Sequence, residues 1–448
     1  MRASKIDVVA QPADARAVYR HMLDVMTIGS PPLPARMLAD WLSRTWITGR
    51  EVLPNDERER VKHIAFVLST YLPGTLPITR SLLFDNYPLP PDATERLDEA
   101  VGWRYSNDTR LPRVIYVENK FKNGYAGTHL ASTAHVNFRR SISNSNVISG
   151  TYFYFDEFFL KTGRTIWRDI LSFVETNGCD VLVLHVGGNK KVMDTLLPSH
   201  DDARQLKRLG AKIVLFGSDF IYSAYREAVE RQLGHLGDWY LSIDIPPFAA
   251  EELDFARSFG KPMIGGWPPQ DIDLYDGIRA PRDIGVGFHG NLHAYPDRLP
   301  GIDYLSRRGI PVHHNEVNVR VPHDEYISLL KRSLVTINFT SVNHTAIDPV
   351  LGGNRHIKAR VFEAMAAGST VLESDSGYGR RYFTDMEDVV FYKDIEDARE
   401  KIEFLLKNRD VTERIGNAAR ERIARDYDIN AFWRHVLKAL DIATGIPR

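Results

Sequence analysis

Gly352-Gly353-Asn354-Arg355-His356-Ile357-Lys358-Ala359-Arg360-Val361-Phe362-Glu363-Ala364-Met365-Ala366-Ala367-Gly368 reads as a loop, a helix and a stop. Ile357, Val361, Ala364 and Met365 recur at helical spacing, so a helix over His356 to Ala367 packs one face on a sheet and projects Arg360 and Glu363 from another. Asn354 is the expected N-cap and Gly368 the residue just past the C-terminus. Apolar runs stand on both sides, Leu334 to Phe339 before and Thr370 to Glu373 after, and both read as strands. The segment is therefore one strand-helix-strand unit.

Outward from it the same unit recurs. Toward the N-terminus come strand Asp283 to Phe288, helix Arg298 to Arg307 and strand Ile310 to His314; toward the C-terminus come helices Ile395 to Lys407 and Thr412 to Tyr427. A second series lies further upstream, with strands His63 to Ser69, Arg113 to Val117, Asp180 to Val186, Lys212 to Gly217 and Trp239 to Ile243. Helices Thr165 to Thr176 and Ala203 to Leu209 fall between them, the latter ending at Gly210. Alternation of this kind predicts mostly parallel sheets covered by helices. The Pro- and Gly-rich segment Gly265-Gly266-Trp267-Pro268-Pro269 through Ala280-Pro281 separates the two series. The fold class expected is α/β, with two Rossmann-like domains facing a cleft, 61–264 and 283–429, joined by a linker over 265–282. A helical extension is expected over 1–60, clearest at Ala13 to Met26 and Pro34 to Trp46, and a last helix, Asn430 to Ile442 within 430–448, crosses back to the first domain.

Composition agrees with that size. A chain of 448 residues exceeds what one hydrophobic core sustains. With 43% apolar and 26% charged residues and a net charge of -1, it has no general pull toward polyanions, so nucleic acid is not an expected partner. The lone Cys179 forms no intramolecular disulfide, and no apolar stretch approaches bilayer length or a signal peptide's core, so the expected compartment is the cytoplasm. The amphipathic stretch Ala17 to Met26 leaves peripheral membrane contact open, with packing onto the body as the alternative.

The glycine-rich loop with Arg355 and Lys358 at the head of a helix offers backbone N–H groups, a positive dipole end and two cations, which suit a diphosphate. Glu363, two turns along, is placed to accept hydrogen bonds from ribose hydroxyls. A surface ion pair between Arg360 and Glu363 is the plainer alternative. The same segment resembles the donor-binding region of group 1 GT-B glycosyltransferases, and in particular the spore-maturation-protein (CgeB-like) branch, whose R-x-F-E-A-x-A-x-G pattern stands here as Arg360 to Gly368. The resemblance continues in Ile284 to Arg298, with Gly290-Asn291, Tyr295 and Arg298, and in Val389 to Asp394, covering roughly the last 170 residues. It implies a GT-B fold, a nucleoside diphosphate sugar donor (UDP-, GDP- or TDP-linked), Glu363 on the donor ribose and Gly290, with Asn291 beside it, near the donor phosphates. Arg298, Arg355 and Lys358 are the cations expected to face the leaving diphosphate, whose charge grows as the glycosidic bond breaks. The larger retaining family carries a second glutamate eight positions before this one, where this chain has Arg355; the stereochemical course therefore stays open.

On the acceptor side, His185 closes a buried strand before Gly187-Gly188 and is a candidate general base; Asp219 and Glu118 hold similar strand-end positions. The acceptor implied is a hydroxyl of a surface polysaccharide, lipid-linked glycan or protein. No cofactor and no metal are expected. Gly285-Val286-Gly287-Phe288-His289-Gly290 is a literal dinucleotide fingerprint, which makes an NAD-dependent oxidoreductase the rival reading, but its residues alternate as the strand itself. Asp271-Ile272-Asp273 sits in the Pro-rich segment and not at a strand end, and His313-His314 with Glu316, or His289 with His293, form no established metal spacing. A protein that keeps the fold and binds sugar nucleotide without turnover is the second rival.

Overall fold

The computed structural model describes residues 105, 110–118, 133–155, 158, 165–185, 197–217, 229–230, 233–247, 261–292, 297–314, 321–339, 357–375, 377 and 379–443. The expected helical extension over 1–60 and the strand His63 to Ser69 lie outside these residues.

The first sheet contains β1 (Arg113–Glu118), β2 (Ser149–Tyr154), β3 (Val181–His185), β4 (Lys212–Gly217), β5 (Trp239–Ser242) and β6 (Met263–Gly265), all parallel, in the order β2-β1-β3-β4-β5-β6. Its strands are Val- and Leu-rich and buried nearly throughout, as parallel strands covered on both faces must be. Helices α1 (Thr133–Asn144), α2 (Trp167–Asn177) and α3 (His200–Arg208) make the crossovers. α3 begins three residues earlier than the apolar spacing predicts, because Ser199 and Asp202 form a reciprocal capping box there.

After the short helix α4 (Ile272–Asp276) the second sheet follows: β7 (Ile284–Phe288), β8 (Val312–His314), β9 (Ser333–Asn338), β10 (Thr370–Ser374) and β11 (Val390–Tyr392), also parallel, in the order β8-β7-β9-β10-β11. Its helices are α5 (Arg298–Arg307), α6 (His323–Arg332), α7 (Ala359–Ala366), α8 (Gly379–Tyr382), α9 (Ile395–Lys407), α10 (Arg409–Asp426) and α11 (Ile429–Ala439). α7 is shorter than the periodicity predicts. Lys358 occupies its N-cap position in extended conformation, four residues after Asn354, while Gly368 takes φ +77 just past its end.

The segment between the sheets is no loose linker. Gln270, Asp271 and Tyr275 are buried, and Asn137 of α1 bonds both Gln270 Oε1 (3.2 Å) and the Tyr275 hydroxyl (3.1 Å). Asp271 caps α4 and takes Arg140 Nε at 2.6 Å and Asn144 Nδ2 at 2.8 Å, so the D-x-D stretch serves as a structural anchor. α11 packs on α1: the Trp433 indole N–H donates to Ser141 Oγ (3.2 Å), and Phe432, Trp433, Val436 and Leu437 join one core with Val114, Val181, Val361 and Met365. That core is continuous from the first sheet to the inner face of the second.

Candidate active site

Each sheet reverses its winding once. In the first, β1 is flanked by β2 and β3; in the second, β7 is flanked by β8 and β9. In open parallel sheets the crossovers diverge at that point and leave a crevice outside the strand carboxyl ends, where ligands bind. β1 ends in Glu118 and β3 in His185; β7 leads into His289-Gly290 and β9 ends in Asn338. The polar residues that break these otherwise apolar strands therefore stand at the two crevices.

At the first crevice His185 and Glu118, each 2% exposed, share Tyr116. The Tyr116 hydroxyl donates to Glu118 Oε2 at 3.2 Å and lies 2.7 Å from His185 Nδ1, which is itself 3.4 Å from the same carboxylate oxygen. The direction of the Tyr116 to His185 bond depends on the ring's tautomer: in the tautomer with the proton on Nδ1, the phenol oxygen accepts from it and Nε2 carries the lone pair. Burial, and then the Glu118 charge, push the Tyr116 phenol well above its usual range, so it stays a neutral relay. Tyr154 at the end of β2 accepts from Arg139 Nη1 at 2.8 Å beside this group.

At the second crevice Arg360 on the first turn of α7 spans the strand ends. Its Nε donates to His289 O (2.8 Å), its Nη1 to Asn338 Oδ1 (3.0 Å), and its guanidinium lies 4.9 Å from the centre of the Phe288 ring. Arg298, 3% exposed, lies 5.5 Å from the same ring centre and donates from Nη1 to Asn291 O at 2.5 Å, holding the turn after β7. Burial, with the His313 and Arg360 charges beside it, lowers His289 to about 3, so it is neutral. Glu363 is 5% exposed and accepts from the Tyr326 hydroxyl of α6 at 2.7 Å. Arg360 and Glu363 thus engage different partners, and the surface ion pair between them is absent. Burial raises the Glu363 carboxyl above its usual range, opposed by the Tyr326 bond and the Arg360 charge. Half-buried Lys358 stands at the head of α7.

Gly290 is required by Arg360: a Cβ there would occupy the space of the guanidinium. Gly290→Ala is expected to push Arg360 off Asn338 and, with one charge-assisted bond lost, to weaken nucleoside diphosphate binding about tenfold in a calorimetric titration. An unchanged titration would show that the position of Arg360 is immaterial to binding.

The structure brings His185 together with Glu118 at one crevice. It gathers Gly290, Asn291, Arg298, Lys358 and Glu363 around the β7, β9 and α7 ends at the other. Arg355 and Asp219 lie outside the described residues, as do Tyr295, Gly187-Gly188 and Gly352 to Asn354. The fingerprint glycines Gly285 and Gly287 lie within β7, and the next α-helix among the described residues is α5, from Arg298. His289 and His313 approach to 5.8 Å between ring centres, and among the described residues no three His, Cys, Asp or Glu side chains converge on a metal-sized site. Sequence reading missed Tyr116, Tyr154, Arg139, Asn338 and Glu373. The signal was there for three of them: Asn338 and Glu373 are amide and carboxylate residues at or next to the ends of β9 and β10, and the aromatic run Tyr152 to Phe155 marks β2.

Two parallel Rossmann-like sheets in sequence, each with its crevice lined by polar strand ends, define the GT-B architecture. Residues 275–438 match the model of a family described as glycosyl transferase-like. No curated protein matches the chain. Among solved structures the chain is similar to Anabaena HepE in complex with UDP (10% identity over 73% of this chain and 99% of that one, TM-score 0.45). The complex of HepE with UDP-glucose gives 10% identity over 73% and 99% of the two chains and a TM-score of 0.46. Sucrose-phosphate synthase from Thermosynechococcus elongatus gives 10% identity over 74% and 99%, with a TM-score of 0.43. No helix among the described residues is long and apolar enough to cross a membrane.

Proposed function

We propose that the protein transfers a sugar from a nucleoside diphosphate sugar to a hydroxyl acceptor, as a hexosyltransferase of the CgeB-like branch acting in the cytoplasm. The observation that carries this reading is the pair of crevices. A glycosyltransferase-like region, 275–438, holds cations and a helix head at one. A histidine in a carboxylate-backed relay stands at the other. The R-x-F-E-A-x-A-x-G run Arg360 to Gly368 supports the branch, and the donor is read as UDP-, GDP- or TDP-linked. The acceptor hydroxyl belongs to a surface polysaccharide, lipid-linked glycan or protein.

In this reading the donor diphosphate lies at the head of α7, with Lys358, Arg298 and Arg355 as its cations and Glu363 toward the ribose. The acceptor oxygen, losing its proton to His185 Nε2, bonds to the anomeric carbon as the bond from that carbon to the diphosphate oxygen breaks. Negative charge grows on the diphosphate in that step, so fixed cations and helix N–H groups stabilise the transition state more than the ground state. Incubation with a panel of nucleotide sugars, with detection of free UDP, GDP or TDP, tests the proposal. Binding without release would leave a sugar-nucleotide-binding protein.

Two further outcomes follow from the misplaced motifs. Turnover is expected to survive EDTA, because the donor charge is met by protein cations. NADH is expected to show no saturable binding, because Gly285 and Gly287 of the glycine fingerprint are part of β7 itself and not of a loop that follows it. Abolition of turnover by EDTA would restore a metal site, and micromolar NADH binding would restore the oxidoreductase.

A further inference from the structure

Glu373 has no place in the mechanism above. It sits near the end of β10, paired in register with Asn338 of β9 and Phe391 of β11, on the face that carries Val371 against α7. The side chain is 0% exposed. Its Oε2 accepts from Asn338 Nδ2 at 2.6 Å, and the Asn338 Oδ1 in turn accepts from Arg360. Its Oε1 is buried with no hydrogen-bond partner. The charged groups facing it are Lys358 and Arg360, both from the head of α7. β9 contributes only Asn338, and Tyr392 of β11 reaches the Asn338 carbonyl oxygen (2.8 Å). A buried acidic side chain thus lies beneath the helix head assigned to the diphosphate, where a negative charge would oppose that ligand.

We propose that Glu373 is a positioning residue of the donor site that works in its neutral form, orienting the Asn338 amide toward Arg360 while placing no charge beneath the diphosphate. The inference rests on the donor reading given above. Geometry supplies the reason for neutrality: the side chain is wholly buried with one hydrogen bond for its two oxygens, and an under-bonded charge costs far more there than an under-bonded hydroxyl. Burial outweighs the Asn338 bond and the two cations and raises the carboxyl to about 8. The sign is then fixed. Below about pH 8 the group is neutral and diphosphate affinity is level; above it the group ionises and affinity falls, because the ligand's charge favours the protonated form.

Calorimetric titration of UDP, GDP and TDP into the parent and Glu373→Gln tests this, at about pH 7 and about pH 8.8, with the variant reporting whatever titration belongs to the diphosphate itself. The nucleoside diphosphate that binds should weaken about fivefold across that interval in the parent and take up protons at about pH 8.3. Glu373→Gln, neutral and of nearly the same shape, should keep the parent's pH 7 affinity at both values, and the corresponding free nucleosides should not distinguish the two proteins. A level profile without proton uptake in the parent, which needs no variant, overturns the proposal, as does the same slope in Glu373→Gln. If none of the three diphosphates binds at either pH, the donor reading fails and this inference with it.

Discussion

His185→Ala is expected to lower kcat by about 100- to 10,000-fold, the range a general base contributes, while leaving nucleoside diphosphate affinity unchanged. The division follows from where the residue stands. His185 is on the first sheet, outside the glycosyltransferase-like region, whereas the described cations assigned to the diphosphate, Arg298 and Lys358, stand at the heads of α5 and α7 beside the second sheet. Tyr116→Phe separates the relay from the ring. It removes the phenol that bridges Nδ1 and Glu118 but leaves those two atoms 3.4 Å apart, so the loss should be smaller than in His185→Ala and should be in kcat. Because His185 is buried, thermal unfolding of each variant is measured beside the rates; a folded His185→Ala protein with parent-like kcat would remove the histidine from the chemistry.

The fold was legible because parallel strands buried on both faces are written as apolar runs: Lys212 to Gly217 was bounded to the residue, and Arg113 to Val117 and Asp180 to Val186 to within one at either end. Helix heads were less legible, because caps override periodicity. Ser199 starts α3 early, and α7 starts late, after Lys358, although Ile357 fits the helical spacing. The packing of the segment between the sheets was not legible for a different reason. Prolines and glycines at 265–269 look like a linker, but the polar residues that follow, Gln270 and Asp271, are partners for Asn137, Arg140 and Asn144, more than 100 positions away. No local pattern carries such a pairing. The same holds for the site: His185, Glu118 and Glu363 are visible as strand-end or motif residues, whereas the Tyr116 bridge and the chain from Arg360 through Asn338 to Glu373 exist only once the strands are side by side.

Glu363→Gln is the second large effect expected, a loss of about 10- to 150-fold in donor affinity or kcat/KM, which is what a hydrogen bond to a charged group of about 1.5–3 kcal/mol amounts to. The substitution is chosen to separate charge from shape. The amide side chain keeps an oxygen to accept from the Tyr326 hydroxyl, so the contact between α6 and α7 survives and the fold should be unaffected. What it removes is the anionic acceptor proposed for ribose hydroxyls. Arg360 does not lose a partner in the change, since its bonds run to His289 O and Asn338, so any effect on binding cannot be traced to a broken ion pair. Tyr326→Phe provides the converse test: it keeps the carboxylate and frees its Oε2, and donor affinity should fall less than in Glu363→Gln. Titration of both variants with the nucleoside diphosphate and with the free nucleoside reads the result. Loss with both ligands places Glu363 on the nucleoside, loss with the diphosphate alone places it on the phosphates, and no loss with either reduces the Glu363 to Tyr326 contact to a packing role between two helices.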